Sequence, residues 1–342
     1  MALLLFLMLK TLLINLLSSQ PLLKVGDRYF SQFVPIFMLH RFKCHEYDLE
    51  GHDLSLLAYT LTILRKRKFN FVSVEDIAIA VREGRSLPPR SVAFSIDDGY
   101  WDHAEIPAQL FCHFDCPCTY FVVTGFISDE LWLWDSKIDH LVLNASSARL
   151  KLLPQRFPEL GLNLENKSET AHKITFRLAE LSLQEIEAAL ASMAQLLEVE
   201  IPEKAPEKYA ATTWNRLREL ERMGLKIAPH SYSHPLLSRE TDECSLNEMK
   251  KSWLDVKTEL KSPSNIFCYP IGRSVDFSKR EMNFSEQLGF TGAVSALPPS
   301  VDITRKCDLY ALPRFGFPST KHDVLQYATW IESFKNSLRK AG

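Results

Sequence analysis

Beyond Gly26, six short apolar runs rich in branched and aromatic residues, FVPIFML, FNFVSV, SVAFSI, CTYFVV, LKIAPH and NIFCYP, alternate with helical patterns. Runs of this length and composition mark strands buried on both faces. Between them, LSLLAYTLTILRKRK carries leucines and isoleucine at helical spacing ahead of a basic end. TTWNRLRELERMG opens on a capping-type threonine and stops at Gly224. Strand and helix in alternation imply a parallel sheet covered by helices. Periodicity alone leaves open whether that sheet closes into a barrel.

One long stretch breaks the alternation. From about 133 to 206 there is no convincing strand, and the helical pattern peaks in SLQEIEAALASMAQLLEV. This reads as a helical insertion in one connection of the sheet, with Pro202 and Pro206 marking the return to the main domain. The expected organisation is therefore an N-terminal amphipathic or membrane-associating helix over 1–27, an α/β domain over 28–320 that contains the insertion, and a C-terminal helix over 321–342. With 342 residues, 46% of them apolar, the chain can bury a substantial core. A formal charge of −2, with acids and bases intermixed, argues against a nucleic-acid partner.

The first twenty residues admit three readings. A secretory signal wants positive charge ahead of its apolar run, whereas only Met1 precedes this one and Lys10 interrupts it. A spanning helix needs about twenty apolar residues, which Lys10 and Asn15 deny. A helix that packs on the domain, or lies as a peripheral contact on a membrane surface, fits residues 1–20. The seven cysteines, Cys44, Cys112, Cys116, Cys118, Cys244, Cys268 and Cys307, lack the spacing of a small disulfide framework. They point to a reducing compartment. The expected location is cytoplasmic with membrane association, export staying open.

SVAFSIDDGY is an apolar strand that ends on two adjacent carboxylates and a glycine, where α/β folds carry their active residues. Adjacent acids repel, so a cation is needed to keep both ionised in a cleft. That allows one to bind metal and the other to act as base. A turn or helix cap is the plain alternative. In IAPHSYSHP, His230 and His234 stand four apart and are flanked by Pro229 and Pro235, so they occupy a strand end or tight loop. With Asp98 they form a His, His, carboxylate set suited to a catalytic zinc or related divalent ion with open positions.

Several segments in one order resemble the polysaccharide deacetylase family, carbohydrate esterase family four. VPIFMLHRF resembles its opening strand, FSIDDGY its Thr-Phe-Asp-Asp-Gly motif, HSYSHP its His-Ser/Thr-x-x-His motif and FCYPIG its Arg-x-Pro-Tyr-Gly motif. LYALPRF resembles the arginine-bearing segment late in many bacterial members. The resemblance implies an α/β fold, a distorted (β/α)7 barrel with helices outside. It also implies metal-dependent hydrolysis of N-acetyl groups on a carbohydrate, a polysaccharide or a sugar-linked precursor of a surface glycan. Carried across, Asp97 is the general base, Asp98, His230 and His234 hold the divalent metal, with zinc preferred, and Ile271 offers the backbone amide of the oxyanion site. Metal-activated water would attack.

The chain departs from the family pattern in three ways. Cys268 stands where many members have the arginine that orients the base, and Arg314 is the candidate replacement. Ile271 replaces an aromatic. No late Leu-x-His segment supplies a general acid. His40 ends the first strand within reach of the cleft but reads as a buried, satisfied histidine. Cys112, Cys116 and Cys118 with His113 resemble a metal-binding tract but read as packing at a helix end and strand; Trp132 and Trp134, beside Asp135, read as core with a sugar-facing role as the alternative, and Trp214 reads as packing. The same site suits an O-acetyl esterase, and a non-catalytic carbohydrate-binding barrel is the reading from another class. The intact set of Asp97, Asp98, His230 and His234 weighs against the latter.

Overall fold

The computed structural model describes residues 2–30, 32–298, 301–303, 308–332 and 334–335. Ten strands follow in order: β1 (Phe33–Val34), β2 (Ile36–Leu39), β3 (Asn70–Phe71), β4 (Ser91–Ile96), β5 (Thr119–Val122), β6 (Lys226–Pro229), β7 (Ile266–Cys268), β8 (Gly292–Val294), β9 (Val301–Asp302) and β10 (Phe315–Gly316). The main sheet runs β10-β2-β4-β5-β6, all parallel, with β3 paired to the first two residues of β4. β7 and β8 form their own parallel pair. The Ser264 N–H bonds the Ile227 carbonyl at 2.7 Å, tying the entry of β7 to β6, and a parallel bridge joins Val294 to Leu312 just ahead of β10. The main sheet and the β7–β8 pair are thus separate parallel ladders joined by these isolated contacts, in the α/β arrangement of parallel strands and covering helices expected from the sequence.

The FVPIFML run is divided because Pro35 has no N–H to contribute to a ladder. Its residues before the proline instead cross to β9 as an antiparallel pair. Alternation within the strands assigns each residue to one of two buried layers. Phe37, Phe94, Tyr120, Val122 and Ile227 pack outward against helices through Leu57, Leu61, Phe111, Leu217 and Leu220. Ile36, Ala93, Phe121, Ala228, Cys268 and Val294 fill the inside. Every residue of β4 is buried, so its sequence carries no polar alternation. Along β4 the inward register Ala93, Ser95 continues to Asp97, which sets the site.

The covering helices begin where side chains satisfy their free amides. Ser73 and Asp76 form a capping box before Val74–Glu83, and the Thr213 side chain accepts the Arg216 N–H before Trp214–Arg222. The insertion over about 133–206 holds the helices Trp134–Asn144, Lys167–Leu178 and Leu183–Leu197 with the single-turn helices Ser147–Leu150 and Leu153–Arg156, and its apolar cluster of Trp134, Ile138, Ile174 and Leu190 is joined by Leu236 from beyond β6.

The N-terminal segment is two helices, not one. Ala2–Leu17 and Gln20–Phe30 are separated at Ser18–Ser19, and the second runs past residue 27. Leu23 enters the main core and Asp27 is clasped by Arg90 at 2.7 Å. On the first helix Lys10 pairs with Asp323 at 3.0 Å, while Leu9, Leu12, Leu13 and Leu16 are exposed. No helix among the described residues is long and apolar enough to cross a membrane. At the C-terminal end the expected helix over 321–342 is seen as Lys321–Ala328 and is interrupted at Thr329, whose backbone is extended. Met1, Cys307 and the last seven residues of the stretch expected to be helical lie outside the described residues.

Candidate active site

Three segments converge at the C-terminal ends of β4, β6 and β7. After Ile96 the chain turns through Asp97, Asp98 and Gly99, with φ of +83° at Asp98 and +100° at Gly99. At Gly99 the φ of +100° strains any residue that has a Cβ, and such an atom would also displace Ile127 Cδ1, 2.7 Å away. After β6, Ser231 and His234 also have positive φ, at 65° and 60°, and after β7 so does Ile271, at 59°. A β-branched residue in that region is strained, and such strain gathers where a loop must hold a fixed shape. The His230–His234 loop is clamped from the helix Asp242–Glu259, whose Glu248 carboxylate accepts the N–H groups of Tyr232 and Ser233 and the Ser233 hydroxyl. From the insertion, the Trp134 indole N–H donates to the His234 carbonyl at 3.0 Å.

The structure brings Asp98, His230 and His234 together. Nε2 of each imidazole lies 3.6 Å from Asp98 Oδ1, and one ligand atom from each of the three residues lies within 4.8 Å of the others. An ion bound at about 2.0–2.1 Å in tetrahedral geometry separates its ligand atoms by roughly 3.4 Å, so the spacing fits. The donor chemistry fits as well. The His230 Nδ1–H is committed to the Cys268 carbonyl at 2.8 Å, which turns Nε2 toward Asp98, where it holds a proton on the carboxylate that a bound ion would displace. Burial pushes the Asp98 carboxyl up, but the hydrogen bond from His230 and the charges of the surrounding imidazoles hold it far below the carboxylate range. Burial and the neighbouring His230 push His234 down to about 4, keeping it in the neutral, ligating form.

Asp97 has a different environment. Arg314 grips it with both prongs, Nη1 to Oδ1 at 2.7 Å and Nη2 to Oδ2 at 2.8 Å. The guanidinium is itself fixed by the Ser295 carbonyl at 2.9 Å and Ser95 Oγ at 3.0 Å. Cys268 Sγ lies 3.1 Å from Arg314 Nη2. A thiol in the motif position therefore makes room for a guanidinium arriving from elsewhere in the chain. Burial would raise the Asp97 carboxyl, yet Arg314 and His230 outweigh it and keep it below the ordinary value. Among the described residues the Ile271 N–H has no backbone acceptor.

A cavity of about 340 Å³ opens over these groups, lined on one side by Asp97, Asp98, His230, His234 and Ile271 and on the other by residues of the insertion. One sequence expectation is overturned. His40 is not a buried, satisfied histidine, because its side chain is 45% exposed and lines the cavity, with Nε2 3.9 Å from Asp97 Oδ2. It follows the last residue of β2 and so falls at the mouth, beyond the packed strand. Cys116, Cys118 and Trp132 are buried in the packing expected of them, Trp134 is buried but also lines the cavity, and His113 is exposed. Asp135 and Glu248 were not singled out as site residues. Asp135 had a signal, standing beside two tryptophans at the start of the insertion, whereas Glu248 sits in an ordinary charged helix with none.

The fold is shared with solved structures. The chain is similar to the Streptococcus pyogenes deacetylase PplD in complex with acetate, at 14% identity and a TM-score of 0.57, over 87% of this chain and 98% of that one. It is similar to IcaB from Ammonifex degensii at 14% identity and a TM-score of 0.55, over 86% and 97%. A de-N-acetylase from Aggregatibacter actinomycetemcomitans aligns at 14% identity and a TM-score of 0.53, over 86% and 98%. No curated protein matches the chain in sequence. These likenesses define an α/β barrel of the deacetylase type. The family model for polysaccharide deacetylase matches residues 84–293, and the chain belongs to that family. It is accordingly a deacetylating hydrolase whose substrate is an acetylated carbohydrate. The matched span includes Asp97, Asp98, His230, His234 and Ile271 but neither His40 nor Arg314.

Proposed function

We propose that the chain removes N-acetyl groups from an amino sugar, in a polymer or a sugar-linked precursor, with Asp97 as general base and with Asp98, His230 and His234 as ligands of one divalent ion, zinc by preference. The observation that carries this reading is the division of the Asp-Asp pair. Asp98 faces two imidazoles at metal-ligand spacing, while Asp97 is held by Arg314. When bound, such an ion would polarise the acyl carbonyl and make water more acidic. Asp97, ionised and fixed in plane, accepts the proton that water gives up as its oxygen bonds the acyl carbon. Arg314 sets the direction of that carboxylate by its two-pronged contact, which a point charge would not do. The Ile271 N–H, without a backbone acceptor of its own, is available to the oxygen that becomes negative.

The barrel with its insertion is proposed to act as one catalytic unit, the insertion supplying the far wall of the cavity. The first helix is proposed to attach to a membrane surface on the cytoplasmic side. Support comes from the exposed Leu9, Leu12, Leu13 and Leu16 and from the ion pair that engages Lys10, its one charged residue. Amide and ester share the same attack, so acetate release from matched N- and O-acetylated sugars tests the main reading. Release from the N-acetylated member of each pair is expected. Release from the O-acetylated member alone would replace the amidase with an esterase.

A further inference from the structure

The chain has no late Leu-x-His segment, so the departing nitrogen needs another source of its proton. Besides Asp97 and the proposed metal ligands, the carboxyl and imidazole side chains that line the cavity are those of His40, Asp135 and His172. His172 is exposed on the insertion helix and His40 is half exposed at the mouth. Asp135 differs from both. It stands in the first turn of Trp134–Asn144, half-buried in the wall of the cavity, between the buried Trp134 and Ser136. Its neighbours are fixed on both sides, Trp134 by the His234 carbonyl at 3.0 Å and Ser136 Oγ by the Tyr100 hydroxyl at 2.6 Å. Oδ1 accepts the Ser136 N–H at 2.8 Å, and among the described residues no cation pairs with the carboxyl.

We infer that Asp135 is the acid that protonates the nitrogen as it leaves, so that the insertion supplies a catalytic group as well as a wall. The inference rests on the deacetylase reading above. One proton of the attacking water goes to Asp97 as the water oxygen bonds the acyl carbon. When the C–N bond then breaks, its electron pair stays on nitrogen, which takes the Asp135 proton. Amine, acetic acid and an Asp135 carboxylate result. The proton held by Asp97 returns to Asp135 through solvent, and acetic acid passes its own to the amine, giving acetate and an ammonium.

Charge around Asp135 is compatible with this duty. Burial, and after it the Asp98 carboxylate, push the Asp135 carboxyl up to about 7, with Asp139 adding to the rise. The Ser136 N–H and Arg41 oppose it. Arg41 is already engaged by Asp102 at 2.8 Å and lies over the Tyr100 ring at 3.9 Å, and Asp139 accepts the Tyr209 hydroxyl at 2.7 Å. A divalent ion on Asp98 would reverse that carboxylate's repulsion, so it is the place of Asp135 in the cavity wall, across from Asp97 and the histidines, that suits it to meet the departing nitrogen.

The test compares Asp135→Asn and Asp135→Glu with wild type on two substrates, the N-acetylated sugar giving the highest wild-type rate and 4-nitrophenyl acetate, whose leaving group departs without needing a proton. For Asp135→Asn the ratio of amide to aryl-ester rate is expected to fall about 100-fold. An acid must be protonated to act, so the wild-type profile of kcat/KM declines as pH rises through the Asp135 pKa. Asp135→Asn lacks that decline, and Asp135→Glu recovers it together with part of the amide rate. Equal losses on both substrates, the signature of a structural role, would overturn the inference, as would a surviving alkaline decline in Asp135→Asn. Wild-type protein that cleaves the aryl ester but no N-acetylated sugar would instead remove the deacetylase reading, and the inference with it.

Discussion

Replacing Arg314 isolates the arrangement that sets this chain apart from the family pattern. Arg314 and Asp97 are 1% and 3% exposed and share two short hydrogen bonds. Removing one partner of a buried, hydrogen-bonded ion pair costs about 3–5 kcal/mol, because the other charge is left uncompensated. Asp97 relieves that penalty by binding a proton. At about 1.4 kcal/mol per pKa unit, a penalty of about 3 kcal/mol moves the carboxyl up by roughly two units. A base must be ionised to act, so in Arg314→Ala the acid limb of the kcat/KM profile shifts to higher pH by about that amount. The lost orientation adds to the loss, for a total fall of roughly 10²–10⁴-fold near neutral pH. Arg314→Lys keeps the charge without the fork, so its acid limb moves less and its rate lies between the two. Thermal unfolding and metal content, measured on the same samples, separate this effect from misfolding. A wild-type rate and an unmoved acid limb in Arg314→Ala would refute the reasoning while leaving the metal ligands untouched.

Other consequences follow from the same geometry. Asp97→Asn keeps the shape but not the proton acceptor, so turnover should fall by roughly 10²–10⁴-fold while metal content persists; equal loss of metal would mean that the two aspartates have exchanged roles. Gly99→Ala forces a Cβ against Ile127 at positive φ, and denaturant unfolding should register a loss of roughly 1–3 kcal/mol. Wild-type stability there would mean that the turn is looser than described. Leu12→Glu combined with Leu16→Glu should abolish co-sedimentation with phospholipid vesicles without changing turnover on a soluble substrate. Undiminished sedimentation would remove the membrane proposal.

The parts of the site that were legible in the sequence are those whose chemistry is local. Asp97 and Asp98 end a run with no polar alternation, because β4 is buried on both faces. His230 and His234 lie within one loop held between prolines. Arg314 was legible through the likeness of LYALPRF to a late arginine-bearing segment and as a compensation for Cys268, but nothing in ALPRF says that its guanidinium reaches Asp97 with both prongs. β8, β9 and β10 escaped notice because two or three residues such as Gly292–Val294 are too short for a period to register. His40 was misjudged because a histidine directly after a buried strand gives no sign of whether it turns into the core or out to the mouth. Asp135 carries only the weak signal of two neighbouring tryptophans, because what brings it to the cavity is the long-range fold of the insertion against the His234 loop through Trp134.

The central claim is that one ion held by Asp98, His230 and His234 is required for deacetylation by this chain. It is tested most directly by removing metal with a chelator, restoring zinc in measured steps and recording bound metal and acetate release on the same protein. Acetate release should vanish in the stripped protein and return in proportion to bound zinc up to one equivalent per chain, while His234→Ala neither retains that equivalent nor recovers. Acetate release at the original rate from metal-free protein, or full recovery in His234→Ala, would contradict the account.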